Sequence, residues 1–156
     1  MTKVHYLPQG YRNVTPYLMV NNASKAIDYY KKTFGAIETM RFTDSSSGKV
    51  GHAEIKIGDS VIMLADEFPG MNKSPKTLKG SPVGMMLYVL DVDVVVKNAV
   101  AAGAKITKPV ADQFYGDRSG GIEDPFGHHW HVSTHIKDVS PEELKKAEAE
   151  MKKEKK

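Results

Sequence analysis

The sequence predicts an α+β fold in which a βαβββ module occurs twice and is followed by one further helix. Two apolar stripes with helical spacing, over 23–34 and 92–100, each follow a short apolar strand-like stretch and precede a Gly-Ala pair. Three more strand-like stretches follow each helix, and equivalent elements of the two halves are separated by about 69 residues. The order of the elements carries this repeat more than residue identity does.

Both module helices have start and stop signals. Asn22 is predicted to cap the first helix, and Gly35 to end it. Asp91 or Asp93 is predicted to cap the second helix, which ends at Gly103. The stripes consist of Ala23, Ala26, Ile27, Tyr30 and Phe34 in the first helix and of Val92, Val95, Val96, Ala99 and Val100 in the second.

Strands are predicted where short apolar or alternating stretches lie between turn residues. They fall at 14–20, 37–43, 50–57 and 60–65 in the first half and at 83–89, 105–110, 114–122 and 129–135 in the second. Residues 66–82 are rich in Pro, Gly, Lys and Ser, which predicts a linker. Ser140-Pro141-Glu142-Glu143 has the capping-box pattern with proline at the first helical position, which predicts a helix within 139–156.

Composition excludes several classes of protein. A chain of 156 residues, 40% hydrophobic and 26% charged, is typical of one soluble globular domain. Because there is no cysteine, disulfide scaffolds, thiolate zinc sites and cysteine nucleophiles are excluded. We find no signal-peptide pattern and no apolar run of membrane length, so we expect a cytoplasmic protein. Residues 145–156 hold six lysines and three glutamates, and their surplus of three positive charges accounts for the whole net charge of +3. The excess positive charge therefore lies in one terminal segment, which predicts a solvated tail and not a nucleic-acid-binding surface.

Four segments, in this order, carry a family resemblance. They are AIDYYKKTFGA at 26–36, GHAE at 51–54 with GDSVIML at 58–64, DQFYGDR at 112–118, and DPFGH at 124–128. Together they resemble the vicinal oxygen chelate superfamily, which includes glyoxalase I, fosfomycin- and bleomycin-resistance proteins and extradiol dioxygenases. The combination is similar to the PhnB-like branch of its glyoxalase-related members.

The resemblance covers about residues 12–138 and implies a domain organisation. It implies one domain over 1–138, with module one at about 12–65, the linker at 66–82 and module two at about 83–136, before a helix with a Lys-rich tail at 139–156. It also implies that the two modules form a cupped mixed sheet with the helices outside. In many members of the family the cup holds a divalent metal, and homodimers are common. We expect a homodimer with a small-molecule ligand here, without nucleic-acid or membrane partners.

The metal ligands of the family, carried over by local motif, fall on Thr15, Met63, Gly84 and His131. Glycine has no side chain, a methionine thioether suits nickel, zinc or manganese poorly, and threonine is at best a weak ligand. One histidine does not hold a catalytic metal. We therefore expect no metal cofactor and no glyoxalase I chemistry, in which the metal stabilises an enediolate oxygen.

Strand alternation selects the polar side chains that would face the cup. In the strand at 50–57, the apolar positions are expected against the helices, which turns His52 and Glu54 to the other face. His129 and His131 share one face of the last strand. A metal relocated to these four side chains is one interpretation, and hydrogen bonding or acid–base roles are the alternative.

Tyr115, Gly116, Asp117 and Arg118 form a second candidate cluster. Arg118 can clamp a carboxylate or phosphate with Asp117 orienting it, or it can form a structural salt bridge at a strand bend where Gly116 supplies a bulge.

Aromatic residues leave a similar choice open. Tyr17 and Tyr88 are assigned equally to a pocket or to the core, whereas Trp130 is assigned to the core.

Three functions are compatible with these observations. The first is a metal-free binding protein with ligand contacts at Thr15, Tyr17, His52, Met63, Tyr88, Tyr115 and His129. The second is a metal-dependent lyase, isomerase or dioxygenase with a relocated site. The third is a metal-independent enzyme, with His131 or Glu54 as catalytic base and Arg118 as anion clamp. We rank the binding protein first and leave open whether the chain is an enzyme.

Overall fold

The structure is a computed structural model that describes residues 4–154, with side chains through residue 150. The chain divides into two compact units. Unit 1 comprises the residues up to Pro82 together with Pro125–His128, and unit 2 comprises Val83–Asp124 and the residues from His129 onward. Each unit contains a four-stranded sheet with a βαβββ order of elements, so the predicted α+β fold is confirmed.

Unit 1 contains one mixed sheet and two helices. Its elements are β1 (Tyr17–Val20), α1 (Ala23–Phe34), β2 (Ile37–Thr43), β3 (Val50–Ile57), β4 (Ser60–Asp66) and α2 (Pro75–Leu78). The strands lie in the order β1-β4-β3-β2. β1 pairs in parallel with β4, and the other neighbouring strands are antiparallel.

Unit 2 repeats this topology and adds a C-terminal helix. Its elements are β5 (Gly84–Tyr88), α3 (Val92–Ala101), β6 (Lys105–Asp112), β7 (Asp117–Glu123), β8 (His129–His135) and α4 (Pro141–Glu154). The strands lie in the order β5-β8-β7-β6, again with a parallel first pair.

Helix α1 covers one face of the unit 1 sheet. The Asn22 side chain accepts a hydrogen bond of 3.0 Å from the Lys25 backbone nitrogen, and the helix ends at Gly35, as predicted. All five residues of the predicted stripe are buried, as are the apolar residues of β3 that face the helix, Ala53, Ile55 and Ile57. Because side chains alternate along a strand, His52 and Glu54 lie on the other face of the sheet.

Asp66 ties helix α1 to strand β3. Its carboxylate accepts hydrogen bonds from the backbone nitrogens of Ala23, at 2.8 Å, and Val50, at 2.7 Å. Asp66 is 7% exposed, and both donors are fully buried. The carboxylate therefore satisfies one of the backbone N–H groups that every helix N-terminus leaves without an intrahelical partner.

Several predicted strand boundaries are wrong. β1 begins at Tyr17 instead of 14, because the preceding residue, Pro16, has no N–H to donate to the sheet. β7 begins at Asp117 instead of 114, because Gly116 donates to the Gln113 carbonyl and closes a turn over 113–116. Smaller differences of one or two residues occur at the ends of β4, β5 and β6.

The predicted linker contains a helix. Ser74 caps α2, with its hydroxyl accepting from the Thr77 backbone nitrogen at 3.4 Å, and Pro75 takes the first helical position. The proline and serine that predicted a linker are also helix start signals, and the linker prediction overlooked this.

The remaining caps follow the sequence. Asp91, and not Asp93, caps α3 by accepting from the Val94 nitrogen at 3.0 Å. Ser140 and Glu143 form the predicted capping box of α4, with bonds of 2.8 and 3.2 Å. The last two residues of the Lys-rich tail lie outside the described residues. Within residues 4–154, every helix is too short or too polar to cross a membrane.

Candidate functional site

The face of the unit 1 sheet opposite α1 carries a mixed set of polar and apolar side chains, which we call the open face. Its members are Tyr17, Met40, Phe42, His52, Glu54 and Met63. Strand register aligns four of them in one row, because Met63 lies beside both Tyr17 and Glu54, and Glu54 beside Met40. Tyr17, Met40 and Phe42 are more than one third exposed, whereas Glu54 is 7% exposed.

A chain of hydrogen bonds ends at the Glu54 carboxylate. Tyr11 donates its phenol hydrogen to Glu54 Oε2, and His52 Nε2 lies 3.3 Å from Glu54 Oε1. The other ring nitrogen of His52, Nδ1, lies 2.9 Å from the Tyr17 hydroxyl. Tyr17 thus connects through His52 to a largely buried carboxylate.

The donor and acceptor roles in this chain follow from the carboxylate. An ionised carboxylate only accepts, so His52 Nε2 must carry a hydrogen. In the neutral imidazole, Nδ1 then accepts the hydrogen of Tyr17. The hydrogen bond to Glu54, with smaller contributions from burial and from the carboxylate charge, raises the pKa of Tyr11 and keeps its phenol protonated. The arrangement can hold a ligand donor group or transfer a proton.

Unit 2 carries a second polar group on its own sheet, which we call the Asp117 cluster: Tyr88, Asp117, His135 and Asp138. Tyr88 donates to one oxygen of Asp117 at 2.9 Å, and His135 Nδ1 lies 2.8 Å from the other. His135 Nε2 lies 2.9 Å from Asp138. Asp117 is 4% exposed, so its phenol and imidazole partners supply the hydrogen bonds that water would otherwise provide.

Two carboxylates set the protonation of His135. The hydrogen bond to Asp117 and then that to Asp138 raise the pKa of His135, because both favour the imidazolium. The hydrogen bond to Asp117 likewise raises the pKa of Tyr88, which stays a neutral donor. Both ring nitrogens of the imidazolium donate, so His135 at the end of β8 is bonded to Asp117 of β7 and to Asp138 in the segment that follows.

The raised pKa of His135 predicts a pH-dependent contribution to stability. Its contribution is fully present below the ordinary histidine pKa of about 6.5 and is lost as the pH rises through the higher folded-state value. We expect His135→Gln to lower the free energy of unfolding more at pH 5.5 than at pH 8.5, measured by urea unfolding at several pH values. His129→Gln, on the same strand, is the control. An equal loss across the pH range would contradict the assignment.

Arg118 faces away from the Asp117 cluster. Its guanidinium forms a two-bond ion pair with Asp93, at 2.7 and 2.8 Å, and a further bond of 2.8 Å to Asp112. These carboxylates raise the pKa of Arg118. The suggestion that Asp117 orients Arg118 is wrong, because neighbouring strand residues point to opposite faces. The ion pairs favour the structural interpretation of Arg118 over the anion clamp, which stays a prediction.

The positions carried over from the family's metal ligands do not fit a divalent metal. The Thr15 hydroxyl donates to the Arg12 carbonyl at 3.2 Å, Met63 offers only sulfur, and Gly84 has no side chain. A Cβ at Gly84 would lie 3.1 Å from His131 Nε2, so a larger residue there would displace the imidazole. Among the side chains that the structure describes, residues 4–150, no three His, Cys, Asp or Glu are grouped closely enough to hold a metal ion. That the chain works without a metal stays a prediction.

The other predicted residues have separate surroundings. Trp130 is 2% exposed and donates to Asp124 at 2.9 Å, which confirms it as core. His128 donates to the Met19 carbonyl at 3.1 Å within unit 1. The Tyr115 hydroxyl lies 3.3 Å from that of Ser119. Ligand contacts at Tyr88, Tyr115 and His129, and a base at His131, stay predictions.

Tyr11 and the pairing of Asp117 with His135 were missed by the sequence analysis. Tyr11 lies in a segment without strand or helix periodicity, and its partner is 43 residues away. His135 is the last residue of the strand predicted at 129–135, but nothing local indicated its contact with Asp117.

Unit 1 also has a shallow pocket of about 240 Å³ beside α2. It is lined by Lys49, Glu67, Pro69, Gly70, Asn72, Lys73 and Thr77. Both Glu67 oxygens already accept hydrogen bonds, from the Ser74 nitrogen and the Thr77 hydroxyl.

The chain is similar to known proteins along most of its length. An uncharacterized protein of Mycobacterium bovis, Mb0911c, is 38% identical over 138 residues, which are 86% of this chain and 90% of that protein. The crystal structure of the Arabidopsis thaliana gene product AT5G48480 matches with a TM-score of 0.63 and 29% identity, covering 79% of this chain and 98% of that one.

The PhnB protein of Bacillus cereus has the same fold, with a TM-score of 0.63 over 79% of this chain and 99% of that one, at 17% identity. The family model of the Glyoxalase/Bleomycin resistance protein/Dioxygenase superfamily matches residues 5–132. The order of elements, the two sheets and this match lead to one conclusion: the chain belongs to the Glyoxalase/Bleomycin resistance protein/Dioxygenase superfamily.

Proposed function

We propose that this chain binds a small organic molecule against the open face of unit 1 and does so without a divalent metal. The observation that carries this proposal is that two exposed apolar side chains lie directly beside the polar pair, Met40 beside Glu54 and Phe42 beside His52. Ligand sites typically combine an apolar surface with a few well-placed polar groups. Binding without a divalent metal is supported by the residues at the family's metal-ligand positions, since Thr15, Met63 and Gly84 do not fit such an ion.

The open face selects a ligand with two kinds of surface. Glu54 and His52 can bind a polar group, and Tyr17 offers a hydroxyl at the exposed end of the same chain. Met40, Phe42 and Met63 offer apolar area for a hydrocarbon or aromatic part. An aromatic or cationic compound with a hydrogen-bond donor fits both requirements.

Glu54→Gln is expected to weaken ligand binding. A hydrogen bond to a charged group is worth about 1.5–3 kcal/mol, which corresponds to roughly a 10-fold or greater loss of affinity. Thermal-shift screening of aromatic and cationic compounds identifies a ligand, since a compound that binds only the folded chain raises its melting temperature. Calorimetry then gives the dissociation constants of the wild type and the variant.

Glu38→Gln is the matched control, because Glu38 lies on the same sheet and bonds to Arg41 at 2.8 and 3.0 Å instead of the open face. We expect it to keep the wild-type affinity. Affinity should also be unchanged by a chelator. Binding that needs an added divalent metal, or that survives Glu54→Gln unchanged, would contradict the proposal.

A metal-independent enzyme is the second candidate, and the bonds that join Tyr17, His52 and Glu54 favour it. These hydrogen bonds provide a path along which a proton can move between a bound compound and the carboxylate, with Glu54 as base. The distinguishing measurement is the mass and NMR spectrum of the ligand after incubation. A ligand recovered unchanged supports the binding protein, and a product whose formation stops in Glu54→Gln supports the enzyme.

The proposal also includes a homodimer in the cytoplasm, and family membership supports the homodimer. Light scattering after size exclusion should give twice the monomer mass of 17.2 kDa. A monomer at micromolar concentration would contradict this part alone.

A further inference from the structure

The residues that lead into β1 lie against the sheet without forming part of it. Residues 7–16, which we call the N-terminal strap, contain neither helix nor strand. Their internal bonds are local: the Tyr11 nitrogen donates to the Pro8 carbonyl and the Thr15 hydroxyl to the Arg12 carbonyl, both at 3.2 Å. The strap is therefore held in place mainly by contacts with the sheet.

Two side chains connect the middle of the strap to the sheet. Tyr11 donates to Glu54, and Arg12 pairs with Asp59 of the β3–β4 turn at 3.0 Å. The Arg12 and Asp59 side chains are 67% and 79% exposed, and ion pairs exposed to this extent contribute little to stability. The Tyr11 bond is part-buried and ends on a charged acceptor, so it is the stronger of the two.

We propose that Tyr11 is an internal competitor for Glu54, so that the strap must release this carboxylate before a ligand bearing a hydroxyl or ammonium donor binds there. This inference rests on the proposed function of the open face. Glu54 has two oxygens, and His52 occupies one while Tyr11 occupies the other. Because Glu54 is only 7% exposed beneath these partners, a ligand donor reaches its Oε2 oxygen by taking the place of the Tyr11 phenol.

The chemistry of Tyr11 indicates the class of ligand that replaces it. Its side chain is a neutral phenol, and the neighbouring Tyr17 and His52 rings meet edge to face with centroids 5.4 Å apart. Phe42 lies on the other side of His52, with centroids 6.5 Å apart. A phenol or arylalkylamine places a donor on Glu54 and its ring beside these three. Tyramine has both donor groups and serves as the probe.

The strap can be tested without any ligand. Trypsin cleavage after Arg12, followed as the appearance in mass spectra of fragments that begin at Asn13, reports how often the strap leaves the sheet. Tyr11→Phe keeps the ring and removes the donor, and we expect cleavage to become about 10-fold faster. Tyr6→Phe, at an 80% exposed position, is the matched control and should cleave like the wild type. Equal cleavage rates of Tyr11→Phe and the wild type would overturn the claim that the Tyr11 hydrogen bond holds the strap on the sheet.

A double-mutant cycle assigns the effect to the Tyr11–Glu54 bond. Glu54→Gln alone should also speed cleavage, and adding Tyr11→Phe should then have little further effect. Additive effects would mean that Tyr11 and Glu54 act separately, which overturns the proposed competition. Melting temperatures recorded for all variants separate strap release from loss of the fold.

The competition itself is tested with tyramine. We expect saturable acceleration of wild-type cleavage by tyramine and about 10-fold tighter tyramine binding to Tyr11→Phe than to the wild type. Weaker binding to Tyr11→Phe would make Tyr11 a ligand contact and overturn the competition. No binding to either protein at millimolar concentration would overturn the ligand class. The comparison of cleavage rates without ligand does not depend on tyramine. A failure of the strap proposal can therefore be distinguished from a failure to find a ligand for the open face.

Discussion

Asp66→Ala is expected to lower the free energy of unfolding by about 3–5 kcal/mol. The substitution removes the charged acceptor of two backbone hydrogen bonds, each worth about 1.5–3 kcal/mol. Its donors, the nitrogens of Ala23 and Val50, are fully buried and cannot turn to water. Since small domains have total stabilities of about 5–15 kcal/mol, this single carboxylate accounts for a large share. Urea unfolding followed by circular dichroism measures the change.

Asp59→Ala is the matched control for Asp66→Ala. Asp59 is also an aspartate of unit 1, but it lies in an exposed turn, where its partners are the exposed Arg12 guanidinium and the neighbouring Ser60 hydroxyl. We expect a much smaller loss of stability than for Asp66→Ala, because an exposed ion pair contributes little. If the two variants were equally stable, the carboxylate of Asp66 would not join α1 and β3 in solution.

The fold was largely predictable because burial on one side imposes a period on the sequence. Ala26, Ile27 and Tyr30 repeat with helical spacing, since all three face the same sheet, and Asn22 and Gly35 marked the ends of the helix. The errors occur where a local signal has two meanings. Pro75 follows its helix cap and was interpreted as part of a linker.

The candidate site was predictable only in part. The alternation of β3 placed His52 and Glu54 on one face, because the period of a strand is local. Asp66 was included in the predicted linker, and Tyr11 was not considered. Both act through tertiary hydrogen bonds to residues 16 to 43 positions away, and such bonds leave no periodic pattern in the sequence.

Gly116→Ala is expected to destabilise unit 2 by about 3 kcal/mol. Gly116 has a φ of +95°, where an L side chain is strained by about 1–2 kcal/mol. A Cβ there would also lie well inside van der Waals contact of the Lys137 carbonyl oxygen and 2.9 Å from Val139 Cγ2. The backbone at Lys137 is held close to Gly116, because the Ile136 and Lys137 nitrogens both donate to the Gly116 carbonyl oxygen. Overpacking of this kind adds about 1–3 kcal/mol.

Gly70→Ala separates backbone strain from the clash. Gly70 has a φ of +80°, and no atom lies within 4 Å of a Cβ placed there, so only the strain of about 1–2 kcal/mol remains. A loss for Gly116→Ala no larger than this would mean that residues 136–139 move away freely. In that case Asp138 would leave His135, and the pH dependence of unfolding assigned to His135 would weaken in the same variant. Retention of that pH dependence with a loss of about 3 kcal/mol would instead show a segment that resists displacement.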